Sequence, residues 1–424
     1  MLTPTIPVGA NSDGIAITPN GQFAYVTNYD VNTVSVIDTQ TNTVVDTIAD
    51  ASFNRPIRVA ITPDGKFAYV TNDGNNVVSV IDTQSNTIVQ TITDTSFNQY
   101  TWGIAITPDG KFAYVVDINS NTVSVINLAT NAVVGSPIPV GAHPREIVIT
   151  PDGDYAYVTN QTDGTVSVIS TATNTVVSTI AVGAGPRGVA ITPDGQFVYV
   201  TNSGDGTVSV INTALALTDP ADAVVGTATV GGNPRGVAIS RTGGQYAYVT
   251  NTTDGTVSVI DTATNRVVET FTVETATGLY NIAFTPDGQF AYTTDDQTNV
   301  VSVITAPVIT QRLPDGIVGT PYTNTVTVTE ASSSTCTVTG TVPPGLTLTP
   351  TCQLTGTPTA TGTYTFSVTA SSTIRGLSAT LAKQYTVRVL SPAAPVPALG
   401  DRALALLALL LASGAALTLR RKAA

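Results

Sequence analysis

Apolar and polar positions along the first three hundred residues follow one short plan, repeated. The run "FAYVTN" at 23–28 alternates as a strand does, and close copies recur down the chain. Aligned on the turn "TPDG", the copies fall at Pro19, Pro63, Pro108, Pro151, Pro193, a degenerate "SRTGG" around Thr242, and Pro286. The steps are 44, 45, 43, 42, 49 and 44 residues. Seven copies at this period point to a solenoid, an array or a propeller. The fifth copy displays the unit: "GVAITPDGQFVYVTNSGDGTVSVINT", a longer connection "ALALTDPAD", then "AVVGTATV". Four short apolar runs separated by turn residues predict a four-stranded antiparallel meander.

Each turn carries a residue that reaches positive φ cheaply, which tight hairpins require. The first turn ends in Gly in every copy, from Gly21 to Gly288. The second has Asn32, Asn76, Asn121, Gly164, Gly206, Gly255 or Asn299 just before the "TVSV" or "VVSV" run. The third has Asn42, Asn86, Asn131, Asn174 and Asn265; copy five replaces that turn and copy seven stops before it. In 23–28, Phe23, Tyr25 and Thr27 face one way, and Ala24, Val26 and Asn28 the other. Both faces are apolar or small. That suits a sheet packed between two neighbours, large against small, as in a closed ring of blades. The aromatic strand is therefore read as a packing device between blades. The opening "LTPTIPVGANSDGIAIT" aligns with "VVSTIAVGAGPRGVAIT", so residues 2–8 are expected to supply the outer strand that the seventh copy lacks. Pro4 and Pro7 fit an edge strand, and such a joint removes the open edges of the ring.

With "YVTN" at Tyr25, Tyr69, Tyr157, Tyr199 and Tyr248, and degenerate "YVVD" at Tyr114 and "YTTD" at Tyr292, residues 1–305 resemble the YVTN family of β-propeller repeats of bacterial and archaeal surface-layer-like proteins. The resemblance implies an all-β fold, a seven-bladed β-propeller, and is silent on function.

The texture changes after Ile304. Residues 306–391 are rich in Thr, Ser and Val, and "PPGLTLTPTCQLTGTPTATGTYTFSVTAS" resembles the Ig-like domains of bacterial surface proteins, implying a small β-sandwich. Cys336 and Cys352 both lie here. They form either one disulfide closing a short loop, contributing on the order of 3 kcal/mol in an oxidising location, or two inert buried thiols. A Pro-rich linker is read at 392–402 and an apolar helix with a basic end, Arg420, Arg421 and Lys422, at 403–422. Its apolar run reaches the lower bound for a membrane helix, roughly 17 residues, with the basic cluster cytoplasmic. This tail resembles the carboxy-terminal sorting signals of Gram-negative bacteria that open "IPTL". Val396-Pro397-Ala398-Leu399 holds that place, and Gly400, Asp401 and Arg402 depart from the usual Ser-Glu-Trp. A plain tail anchor is the alternative. Export also calls for a charged and then apolar leader, which does not open this sequence.

Composition narrows the chemistry. Of 424 residues 11% are charged, with a formal net charge of −12. An acidic, lysine-poor chain argues against nucleic acid as partner. One His (His143), one Met and two Cys leave almost no material for a His/Cys metal site. No metal and no cofactor are expected.

Candidate chemistry gathers at the connection into each innermost strand, which reaches one mouth of the central channel. Three copies carry Pro-Arg there, in "HPRE", "GPRG" and "NPRG". Across the copies the Arg position reads Asp13, Ile57, Trp102, Arg145, Arg187, Arg235 and Tyr280, with Arg58 and Glu146 one residue later. Arg and aromatic side chains together suit an acidic sugar, a carboxylate or an extended peptide. The competing reading is that each Arg pairs with a neighbouring acid and simply orders the ring. The "DGT" loops bring Asp163, Asp205 and Asp254 to the same face. Each offers too few carboxylates for calcium, and the Asp-Gly turn accounts for them. Lactonases on related propellers resemble the sequence around "GPR" but continue with His after the Arg, where Glu146, Gly188 and Gly236 stand. With no clustered base and acid, catalysis is not expected. The sequence thus predicts an exported, non-catalytic binding or adhesion scaffold in a Gram-negative envelope. Its expected partners are an envelope polysaccharide or surface protein, and the membrane through the carboxy-terminal helix. A purely structural surface-layer-like protein and a lactonase-like hydrolase are the alternatives.

Overall fold

The computed structural model describes residues 5–97, 100–240, 246–273, 276–305, 313–327, 334–374 and 377–392. The degenerate turn around Thr242 and the carboxy-terminal stretch 393–424, where most of the linker and the apolar helix are expected, lie outside the described residues. The chain divides into two compact units, Met1–Pro307 with Ile374–Ala379, and Val308–Thr373 with Thr380–Ala424.

The first unit holds seven four-stranded antiparallel sheets among the described residues. The first sheet runs Ser12–Ile17, Phe23–Asn28, Thr33–Asp38 and Thr43–Ala49. The next five repeat that order, each beginning on an inner strand: Pro56–Ile61, Thr101–Ile106, Pro144–Ile149, Pro186–Ile191 and Pro234–Ile239. The last sheet is built from Leu279–Phe284, Phe290–Asp295 and Val300–Thr305, and its fourth strand is Thr5–Pro7 from the other end of the chain. There Ile6 lies opposite Val301, and the Val8 N–H donates to the Asn299 carbonyl at 3.0 Å. Pro7 is on this edge strand, as its missing N–H demands; Pro4 lies outside the described residues. Inner strands pack side by side in cyclic order, and Ser12–Ile17 touches Leu279–Phe284 to close the ring.

The turns adopt the geometry their residues suit. Asn32, Asn76, Asn121 and Asn299 have φ of 55, 59, 55 and 60°, and the third-turn Asn42, Asn86, Asn131, Asn174 and Asn265 lie between 50 and 55°. In copy five, "ALALTDPAD" contributes a short helix, Thr213–Thr218, capped by the Asn212 side chain.

The "YVTN" strand joins neighbouring sheets in two ways. Its Tyr packs against the next sheet and its Ala and Val against the preceding one: Tyr25, Val34 and Val36 share a core with Val59, Ala68 and Val70. Its polar groups cross the same joint. Tyr25 donates its hydroxyl to Asn86 Oδ1 at 2.6 Å, Tyr69 to Asn131, Tyr114 to Asn174, Tyr199 to Asn265, and Tyr292 back to Asn42. The third-turn Asn is therefore both a left-handed turn residue and an acceptor for the preceding sheet. Tyr157 faces the copy whose third turn became a helix, and its buried hydroxyl has no partner. The Thr hydroxyl makes the second crossing. It accepts from an N–H of its own inner strand and donates to a carbonyl of the next. Thr201 takes the Gly188 N–H at 2.8 Å and gives to the Arg235 carbonyl at 2.7 Å. Thr27, Thr71, Thr159, Thr250 and Thr294 give likewise to the carbonyls of Ile57, Trp102, Arg187, Tyr280 and Asp13. The third copy has Val116 in this place and cannot make the bond.

The second unit has two small sheets. One orders Gly316–Ile317, Leu377–Leu390, Gly362–Ile374 and Ser334–Gly340; the other orders Tyr322–Thr325, Gln353–Gly356 and Leu346–Leu348. Leu346 and Leu354 from one and Phe366, Val368, Tyr385 and Val387 from the other share one core. Cys336 and Cys352 are joined as a disulfide, with Cα atoms 5.0 Å apart.

Thr201→Val keeps the shape and removes both bonds, leaving two buried backbone groups unpaired. The expected loss is about 1–3 kcal/mol, roughly 2–4 °C in melting temperature per kcal/mol. Val116→Thr should act in the opposite direction. Unchanged thermal unfolding in both variants sinks the idea of a stapled joint. For the tyrosines, Tyr114→Phe should cost about 1 kcal/mol, whereas Tyr157→Phe should leave stability level or raise it; equal losses in denaturant titrations would show that the Asn acceptor does not matter.

Candidate functional site

Every inner strand carries the same register shift against its partner. It falls between Ser12 and Ile15, Pro56 and Arg58, Thr101 and Ile104, Pro144 and Ile147, Pro186 and Val189, Pro234 and Val237, and Leu279 and Ile282. Such a bulge re-aims the side chains upon it. The ring positions Asp13, Ile57, Trp102, Arg145, Arg187, Arg235 and Tyr280 all sit inside these seven bulges. Except in the third copy, where Val116 stands, the Thr hydroxyl occupies the N–H that the bulge frees from the ladder and fixes the carbonyl of the next ring residue.

Six of the expected site residues, Arg58, Trp102, Arg145, Arg187, Arg235 and Tyr280, line one small cavity, together with Glu146 and Asn281. Asp13 is placed behind them. It is buried and ion-paired to Arg58, which also pairs with Glu146 on the fourth sheet. Ile57 is buried and does not line the cavity. Burial works against the Arg58 charge, but the two carboxylates outweigh it and raise its pKa. Burial pushes Asp13 up to about 6 against the pull of the same guanidinium. This part of the site follows the ring-ordering reading.

The other three arginines differ. Arg145 lies over the Trp102 ring at 4.6 Å, and its Nε donates to Gln161 Oε1 at 2.7 Å. Arg235 lies over the Tyr280 ring at 4.3 Å and reaches Asp296 only at 3.6 Å. The aromatic faces are thus already covered by guanidinium groups. Among the described residues no carboxylate lies within ion-pair distance of Arg145 or Arg187. The buried Nε atoms of Arg187 and Arg235 have no hydrogen-bond partner. Burial, with repulsion from Arg187, lowers the Arg145 pKa to about 10; burial lowers that of Arg187 too. Both remain cations at neutral pH. The cavity is an arc of donors with unmatched positive charge.

The "DGT" carboxylates are engaged elsewhere. Asp163, Asp205 and Asp254 accept the N–H groups of Ala142, Ala184 and Gly232 at 2.6, 2.6 and 2.7 Å. These N–H groups belong to the loops immediately before Arg145, Arg187 and Arg235, so each acid straps the loop that delivers one arginine. No group of three or more His, Cys, Asp or Glu side chains suited to a metal ion occurs among the described residues.

With this geometry in place, three family models match parts of the chain. "Cytochrome D1 heme domain" matches residues 143–312, "Lactonase, 7-bladed beta-propeller" matches 9–137 and 104–180, and "Putative Ig domain" matches 303–390. Among solved structures, hydrazine synthase of Kuenenia stuttgartiensis is similar at 25% identity with a TM-score of 0.61, over 70% of this chain and 96% of that one. No curated protein matches the chain. The first unit is a β-propeller.

Three parts of the propeller site escaped the sequence reading: the bulge, Gln161 and Asp296. The signal for the bulge is the small residue after the ring position. A Cβ on Gly14 or Gly103 would stand 2.5 Å from the Ile57 or Arg145 carbonyl of the next sheet. Gln161 and Asp296 leave no local pattern, because the arginines they meet are distant in sequence or held only by the bulge.

Asp13 makes stability depend on pH with a definite sign. Its pKa is raised in the folded state, so its contribution is fully present below its unfolded value near 3.8 and is lost as pH rises through about 6. Relative to Asp13→Asn, the wild-type protein should therefore gain stability as pH falls from 7 to 4, by on the order of 2 kcal/mol. Denaturant titrations across that range check this; a pH-independent difference would contradict it.

Proposed function

We propose that the protein is a non-catalytic binding scaffold whose propeller channel holds an anionic group of its ligand. The observation that carries this is the unmatched charge of Arg145 and Arg187, beside two buried Nε donors without partners. Buried donors and charges are normally paired, and a carboxylate, sulfate or phosphate would pair these. An acidic sugar of an envelope polysaccharide or an acidic segment of a surface protein supplies such a group.

The finer architecture belongs to the same proposal. We read a seven-bladed YVTN-type propeller, then an Ig-like sandwich, then an IPTL-type tail that places the propeller outside a Gram-negative cell. The disulfide suits an oxidising compartment. No helix among the described residues is long and apolar enough to cross a membrane, and the expected tail helix lies beyond them.

Two other readings come from the similar families. A lactonase-like hydrolase needs a base after the ring arginine. Here Gly188 and Gly236 press on the Arg235 and Tyr280 carbonyls, leaving no room for a side chain, and the Glu146 carboxylate that follows Arg145 is paired with Arg58. The cytochrome D1 family is named for a haem. The residues of this cavity do not suit one: the only His, His143, is engaged through Nδ1 with Gln161 and does not line the cavity, and the Arg58–Glu146 pair does.

Isothermal titration of the full chain with sulfate tests the reading. Binding should weaken at least tenfold in Arg187→Ala and in Arg145→Ala at unchanged thermal stability. Equal binding by wild type and both variants would refute an anion site in the channel.

A further inference from the structure

The residue just before six of the seven inner strands stands in the left-handed region; Gly278, before the seventh, does not. Asn11, Gly185 and Asn233 take it at φ of 56, 65 and 52°, and Asn and Gly do so easily. The second, third and fourth copies place Arg55, Tyr100 and His143 in the same backbone, at 56, 71 and 57°. The repeats thus serve as their own control. A relaxed residue is available at this position and is used three times, yet three adjacent copies carry a large side chain under strain. The surroundings enforce it: Asn32 and Asn121 side chains accept the N–H groups of Arg55 and His143, each at 2.8 Å. Strain that the framework holds in place is characteristic of binding sites.

Two of these side chains gather around Asp73, the third sits on Gln161, and none of the three is buried. The Arg55 guanidinium lies 5.7 Å from the centre of the Tyr29 ring, and Tyr29 donates its hydroxyl to Asp73 at 2.6 Å. The Tyr100 N–H meets the Asp73 carbonyl at 3.2 Å, and Tyr100 is 41% exposed. Phe53 and Phe97 bury themselves and pin the two longer loops that carry Arg55 and Tyr100. His143 Nδ1 is 3.0 Å from Gln161 Oε1, the oxygen that also accepts from Arg145. That sharing makes Nδ1 the protonated nitrogen and leaves Nε2 an acceptor. Gln161 therefore ties the rim to the cavity. The cavity is rich in donors, whereas the rim offers an acceptor, an exposed ring and one cation.

We propose that Tyr29, Arg55, Tyr100 and His143 form an outer subsite, continuous with the arginine cavity, for an acidic oligosaccharide longer than one unit. The sugar acid at its end enters the cavity. The next units lie against Tyr100, a hydroxyl donates to His143 Nε2, and a second carboxylate meets Arg55. This rests on the reading that the channel binds an anionic group.

The test uses the full chain with three probes: sulfate, galacturonate and trigalacturonate. Trigalacturonate should bind at least tenfold more tightly than galacturonate. Arg55→Asn, Tyr100→Asn and His143→Asn should each raise the melting temperature by about 1–3 °C and weaken trigalacturonate at least fivefold, and the first two, which do not touch Gln161, should leave sulfate affinity unchanged. If sulfate binds and the trimer gains nothing over the monomer, or the variants bind the trimer as wild type does, the outer subsite is wrong while the channel reading stands. A fall in melting temperature would make these residues structural and overturn the proposal. Triglutamate binding as tightly as the trimer would overturn the choice of a glycan. No sulfate binding at all would bring down both readings.

Discussion

The threonine hydroxyl at six of the seven joints is the contact on which the propeller and its site depend together. It is one small group with two obligations, an N–H to accept from and a carbonyl to donate to. Both belong to inner strands, in a buried setting where an unmade hydrogen bond is expensive. Because the N–H is released by a bulge, the hydroxyl stabilises the bulge as well as the joint. Because the carbonyl belongs to the next ring residue, the hydroxyl also fixes where that side chain starts. Packing of the sheets and placement of Arg187, Arg235 and Tyr280 are thus consequences of one interaction.

The site divides into halves of different character. Asp13, Arg58 and Glu146 are matched to one another across the channel, and Arg58 is enclosed further by Trp102 and Tyr280 at 5.4 and 5.3 Å. Arg145, Arg187 and Arg235 are crowded by each other and only thinly compensated. A guanidinium spread over an indole or phenol ring is held without being neutralised. The aromatic residues therefore organise the cations, and the edges of the guanidinium groups are left for a ligand.

Much of this was legible in the residues. Gly and Asn at turn positions announce positive φ, and the structure has it at each described one. The alignment of residues 2–8 with an outer strand predicts the pairing of Thr5–Pro7. The arginines of the three Pro-Arg copies line one cavity together. What could not be read was the register. Period-two alternation continues through "PRGVAI" without a visible break, so the bulge at Arg187 and Gly188 is hidden until the partner strand is in place. The second role of the third-turn Asn was hidden for a related reason. Tyr114 and Asn174 are brought together only by the neighbouring sheet, and a hydrogen bond across that gap has no local signature.

The pairing of Thr5 with Ser302 has a consequence for how the molecule is made. Six of the sheets can form from consecutive chain as it emerges. The last cannot, because its outermost strand is synthesised first and its other three last. That strand must wait, unpaired, until the other six sheets have been made. Loop closure over such a distance is slow relative to local pairing. The ring therefore locks in one late step, and until then both of its free borders remain open to foreign strands.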